Sequence, residues 1–301
     1  MPARLVALLG ATIISFSAIL FRLADVGPGT AAFFRPAYGL PLLAGIAWAQ
    51  RGAAPRSGRE RVLAIVAGGL MGLAFVLWTH AIEAIGAGLS TVLGNTQVVI
   101  VGVAAWALYG ERPSRAALAG VPLVLLGILA TGGLGRGGAY GDAPMLGVAL
   151  GLANAVSYAA FLMLFRRLGR GRTVAAGLLG DATLGAAVVA GIAGWLGDPS
   201  FSLVPTWPAH GWLALSGIGP QVFGWLAILY ALPRLPALET SVILLMQPVL
   251  TVAWAAWLLN ERPSFVQLAG VALVLAGVAL VSLSGARRAA RARAAALRSG
   301  R

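Results

Sequence analysis

Two stretches decide the fold: "LYGERPSRAALAGVPLVLLG" at 108–127 and "LLNERPSFVQLAGVALVLAG" at 258–277. They start 150 residues apart in a chain of 301, and 13 of their 20 aligned positions are identical. Upstream the same offset aligns Ala87 with Ala237, Val92 with Val242, Gln97 with Gln247 and His80 with Tyr230. Self-similarity held at one offset is the signature of a duplicated unit. The units run over 1–135 and 136–285, followed by a tail at 286–301.

The solvent of those units follows from composition. Hydrophobic residues make up 59% of the chain and charged residues 10%, with a mean hydropathy of +0.88. A soluble globular domain is about half apolar and a quarter charged, so this chain is built for lipid. There is no cysteine, and the two histidines, His80 and His210, stand far apart. No metal and no cofactor are expected from that donor set. The P-loop motif requires a lysine, and the chain has none, which excludes ATP hydrolysis through that motif.

A helix needs roughly 20 apolar residues to cross a bilayer. Ten stretches qualify: 4–23, 29–50, 61–84, 87–109, 114–133, 144–167, 173–196, 208–232, 236–259 and 264–285. The first follows Arg4 without a small-residue cleavage site and reads as a retained helix. All 22 basic residues are arginine. With the N-terminus inside, 18 arginines fall in cytoplasmic segments, while Arg22, Arg136 and Arg262 fall outside and Arg35 lies within a span. That bias places both termini in the cytoplasm of an inner membrane. It also accounts for the net charge of +13 without nucleic acid. The tail "ARRAARARAAALRSGR" reads as an anchor to anionic headgroups.

Five spans per unit is an odd number, so the second unit enters the membrane upside down relative to the first. The expected fold is an all-α integral membrane protein of ten transmembrane helices in two inverted five-helix repeats. The ERPS prolines suit the first turn of the helix that follows, and Glu111 and Glu261 suit its positive end.

"YALPRLPALETSVILLMQPVLTVAWAAWLLNERPSFVQLAGVALVLAGVAL" at 230–280 resembles the terminal hairpin of the EamA-like branch of the drug/metabolite transporter (DMT) superfamily, with Pro248, Glu261 and Gly270 in the matching places. "AAFFRPAYGLPLL" at 31–43 resembles the family's second helix with its arginine. The first unit departs at Val98, where the family has proline, and its first span lacks the acidic residue that small multidrug exporters use. The resemblance implies an inner-membrane permease for small metabolites and leaves the metabolite open.

Ionisable groups inside a span are functional candidates by default. Arg35 and Asp181 stand out, and aligning "GIA" at 45–47 with 191–193 sets them opposite each other. They are expected to form a structural ion pair or to mark two poles of a central cavity, Arg35 for a carboxylate or phosphate and Asp181 for an amine or a coupling proton. His80 reads first as a packing residue and second as a proton relay. Asn95, Gln97 and Gln247 carry amides into spans 4 and 9, for interhelical bonding or for a polar ligand. Trp78, Trp225, Tyr158 and Tyr230 can wall an amphipathic substrate's cavity or simply pack. The resulting expectation is a secondary transporter exporting small metabolites or amphipathic compounds by alternating access, with a homodimer as an admissible assembly. An intramembrane enzyme, or a channel-like or scaffold protein, is the alternative.

Overall fold

The computed structural model describes residues 2–50, 56–109, 114–132, 139–168 and 176–299. Those residues form helices and connecting turns and no strand. In chain order the helices are α1 (Ala3–Ser15), α2 (Ser17–Ala24), α3 (Pro28–Ala49), α4 (Gly58–Ile85), α5 (Ala87–Gly94), α6 (Gln97–Tyr109) and α7 (Arg115–Thr131). They continue as α8 (Pro144–Leu168), α9 (Ala176–Gly197), α10 (Ala209–Ile218), α11 (Trp225–Ala231), α12 (Ala237–Leu258) and α13 (Phe265–Ser299). The ten expected spans map onto these helices in order. Among the described residues, eight helical stretches are long and apolar enough to cross a membrane. The two outside that group are α3, which carries Arg35 and internal prolines 36 and 41, and α7, which is 17 residues long.

Three expected spans are not single helices. The first breaks at Phe16 between α1 and α2, and the fourth breaks at Asn95–Thr96 between α5 and α6. The eighth widens into a π-helical turn at Gly219–Gly224, between α10 and α11. Pro220 supplies a reason: it has no N–H to donate, and its ring crowds the carbonyl a turn earlier. The α13 helix runs past the expected membrane end and through the arginine tail to Ser299.

The tetrapeptide's role becomes visible at its serines. Ser114 Oγ accepts from Ala117 N at 3.0 Å and caps α7. At the start of α13, Gln267 N donates to Ser264 Oγ at 3.3 Å, and Ser264 N donates to Gln267 Oε1 at 3.0 Å. This reciprocal arrangement is a capping box. Pro263 therefore precedes the cap instead of sitting in the first turn as expected. Glu261 serves a different helix from the one expected: it accepts from Ala87 N at 2.6 Å and Gly88 N at 3.1 Å, at the start of α5. Glu111, Arg112 and Pro113 lie outside the described residues.

Glycines set how the helices approach. A Cβ on Gly120 would lie 2.7 Å from Gly277 O, and one on Gly127 would lie 2.7 Å from Gly270 O. Gly120 is the repeat equivalent of Gly270, and Gly127 of Gly277. The contacts pair each glycine with the other's equivalent, so α7 and α13 cross antiparallel about a local two-fold axis. Gly29 against Gly194, Phe33 against Gly191 and Leu43 against Gly180 give α3 and α9 the same antiparallel register.

Candidate functional site

The α3 and α4 helices of the first unit meet α9 and the α10–α11 span of the second around a buried apolar cluster that includes Leu43, Met71, Phe75, Phe161, Leu179 and Trp225. Arg35 enters this region from α3 and is 4% exposed. Its Nε donates to Gln221 Oε1 at 3.1 Å. Gln221 Nε2 donates in turn to Thr183 Oγ1 at 3.1 Å, and both residues are fully buried. The chain of bonds thus runs from the first unit into the second. Gln221 lies in the π-helical turn, a distortion that frequently marks functional sites.

The guanidinium carbon lies 4.4 Å from the ring centre of Phe75, 5.7 Å from that of Trp78 and 5.9 Å from that of Phe21. Phe21 meets Trp78 edge-on. These rings attract the cation through their negative faces. Among the described residues no carboxylate lies within ion-pair distance of Arg35, and its Nη atoms donate to no protein acceptor.

The ion pair, one of the two arrangements expected of Arg35 and Asp181, does not form. In the antiparallel register of α3 and α9, Gly180 lies opposite Leu43, which sets Asp181 level with Leu42, seven residues along α3 from Arg35. At 1.5 Å of rise per residue Asp181 is about 10 Å from Arg35 along the helix axis. Asp181 is instead ion-paired to Arg56, with Arg61 Nε at 3.7 Å. Arg56 also donates to Gly177 O. This cluster ties the start of α4 to the start of α9, as a structural clamp does.

Trp78 and Tyr158 lie within electrostatic reach of Arg35, and the remaining expected residues scatter. His80 is half-buried, and its Nδ1 lies 2.8 Å from Val76 O one turn back. Tyr158 and Trp225 meet edge-on, with Phe161 between them in the same apolar cluster as Phe75. Tyr230 is 45% exposed and stacks under Arg234, away from this cluster. Asn95 Nδ2 donates to Thr91 O at 2.9 Å at the break in the fourth span. Gln97 Oε1 is buried without a partner, and Gln247 is half-buried on α12. Six tryptophans near span ends read as an interfacial belt: Trp48, Trp106, Trp195, Trp207 and Trp257 are each at least half exposed, as a belt requires, while Trp212 is half-buried against the cluster of Phe34 and Leu213.

Sequence reading missed Gln221, Thr183, Phe75 and Phe21. The available signal was "GIGPQVFG" at 217–224, a Gly-Pro step followed by an amide in the middle of an apolar span.

Two carboxylates hold helix starts at the end of the bundle opposite residue 2. Asp198 accepts from Gly29 N at 2.7 Å at the start of α3, and from Ser200 N and Oγ. Burial works to raise its pKa, but the bonds from Ser200 and Gly29 prevail and hold it below the ordinary carboxylate range. For Glu261 burial prevails: it pushes the carboxyl up, against the Ala87 and Gly88 donors and Arg22. Among the described residues no cluster of potential metal ligands occurs.

The family model described as the EamA-like transporter family matches residues 1–133 and 145–283. The fold is similar to that of a protein of solved crystal structure, with a TM-score of 0.61 at 21% identity, covering 95% of this chain and 98% of that one. A comparison with curated proteins returned no match.

Proposed function

The chain belongs to the EamA-like transporter family, and on that premise we propose that it is a secondary carrier exporting small metabolites or amphipathic compounds across the inner membrane. Ten spans in two inverted five-helix units alternate access to a site between them. The observation that carries this reading is the antiparallel register of repeat-equivalent helices, α7 with α13 and α3 with α9. Units inserted in opposite senses give the site two equivalent exits.

The seams between the units differ in a way that suits alternation. At one, a Cβ on Gly68 of α4 would lie 1.8 Å from Ala182 O of α9. At its repeat counterpart, a Cβ on Gly217 of α10 would lie 2.8 Å from Arg35 O of α3, and one on Gly39 of α3 would lie 3.0 Å from Gly217 O. One seam is tight and its equivalent is looser, and exchanging those two conditions would swap the accessible side. Both termini are assigned to the cytoplasm on the arginine distribution. No catalytic role is assigned to any residue.

The absence of native cysteine makes topology directly testable. Single cysteines at Ser114 and Ser264, the caps of α7 and α13, should react with an impermeant maleimide from opposite sides of the membrane. Labelling of both from one side would refute the inversion. Reconstituted in liposomes, the protein should move solute chemically unchanged. Solute recovered in altered form would support the enzyme alternative.

A further inference from the structure

We propose that the residues around Arg35 form the substrate site, and that its ligand is an organic monoanion: a carboxylate on an apolar body. The inference rests on the carrier reading and names the substrate class.

The argument begins with charge. Arg35 is 4% exposed, and arginine cannot deprotonate at physiological pH. A buried cation is ordinarily matched by a carboxylate, because an unpaired charge in a low-dielectric interior costs several kcal/mol. Here the side chain facing Arg35 Nε is an amide, Gln221. Thr183 takes the other end of that amide and fixes its orientation, with oxygen toward the arginine. The two residues hold the guanidinium in place without neutralising it.

The ring faces of Phe21, Phe75 and Trp78 soften the charge but do not cancel it. With Nε engaged by Gln221 and a face turned to Phe75, the Nη edge remains as a fork of donors. A carboxylate matches such a fork in bidentate geometry. One arginine balances one negative charge, so a monoanion forms a neutral pair at the site, whereas a phosphate dianion would bury a net charge. The aromatic side chains beside the fork suit an apolar body and offer a sugar or polyol few partners.

The place of the site fits transport. Arg35 comes from the first unit, while Gln221 and Thr183 come from the second. Parting of the units therefore exposes the fork, and a bound anion ties them together across the interface.

The test uses purified full-length protein in nanodiscs, with tryptophan fluorescence titrated by benzoate, by neutral benzamide and by cationic benzylamine. Benzoate should bind roughly tenfold or more tightly than either, the scale of one charged hydrogen-bonded contact. Phenyl phosphate should gain nothing over benzoate. Arg35→Lys should weaken benzoate about tenfold by replacing the fork with a point charge. Arg35→Gln should abolish the preference for the anion. Gln221→Glu tests the same idea without removing the arginine: the new carboxylate would occupy Arg35, so benzoate binding should vanish while the melting temperature is kept or raised.

Equal binding of benzoate and benzamide, no saturable benzoate signal, or a preference that survives Gln221→Glu would overturn the proposal. Liposome counterflow separates it from the carrier reading. Flux of neutral or cationic solutes that persists in Arg35→Gln removes the anion site and leaves the carrier. Specific benzoate binding with no flux of any solute leaves the site and removes the carrier.

Discussion

The closest helix contact among the described glycines offers a quantitative test of the packing. Gly68 of α4 and Gly185 of α9 each face backbone: a Cβ on Gly68 would lie 1.8 Å from Ala182 O, and one on Gly185 would lie 1.9 Å from Ile65 O. Gly72 adds a third such approach, 2.4 Å from Ala186 O. Ordinary contact begins at 3.4 Å, so Gly68→Ala requires α4 and α9 to part by 3.4 − 1.8 = 1.6 Å, with no flexible side chain able to yield instead. A gap of even 0.5–1 Å forfeits about a quarter to a half of each van der Waals well along a seam. Overpacking of this kind costs about 1–3 kcal/mol, and a backbone clash belongs at the upper end. Alanine's better helix propensity returns about 1 kcal/mol, leaving a net loss of about 2 kcal/mol. Gly45→Ala is the matched control, because nothing lies within 4 Å of its Cβ position. It should be neutral or stabilising by up to about 1 kcal/mol. Unfolding in one detergent, followed by circular dichroism, compares the two. If Gly68→Ala were as stable as Gly45→Ala, the tight seam between the units would be wrong, and with it the contrast between seams that supports alternation.

Two further outcomes follow from the charged groups. Glu261 has a raised pKa in the folded protein, so between the ordinary glutamate value and that raised value the folded state holds more protons than the unfolded state. Stability contributed by its protonated form is fully present below the ordinary value and is lost as pH rises through the raised one. Glu261→Gln should flatten that fall in a plot of melting temperature against pH, and an unchanged slope would contradict the burial of this carboxyl. At the other end of the bundle, Asp181→Asn should lower stability by about 2–4 kcal/mol, since it leaves the largely buried Arg56 without its partner. The double variant with Arg56→Gln should cost less than the sum of the single changes in a thermal-unfolding cycle, and simple additivity would show that the two groups are not coupled.

Much of the architecture is legible in the chain itself. Apolar composition selects lipid, the shared ERPS stretch reveals the duplication, and tryptophans mark the interfaces, because each of these signals depends on local residue type and spacing alone. The glycines repeated at 120 and 270, and at 127 and 277, are visible in the chain, but their partners are not. That Gly120 meets Gly277 rather than its own equivalent, Gly270, is set by the antiparallel docking of two units.

The site shows the division most clearly. Arg35 drew attention because a charge inside an apolar stretch is conspicuous in any sequence. Of the two relations the sequence offers for Arg35 and Asp181, the direct ion pair is not formed: the helix register carries Asp181 to the cluster with Arg56 and Arg61. Gln221, 186 positions away in the chain, became the neighbour through the π-helical turn and the packing of four helices from two units. The chain by itself determined which groups need special company in lipid. Only the tertiary structure decided which company each received, because a partner across a helix seam depends on register and rotation, and a slip of one turn moves a side chain about 5.4 Å.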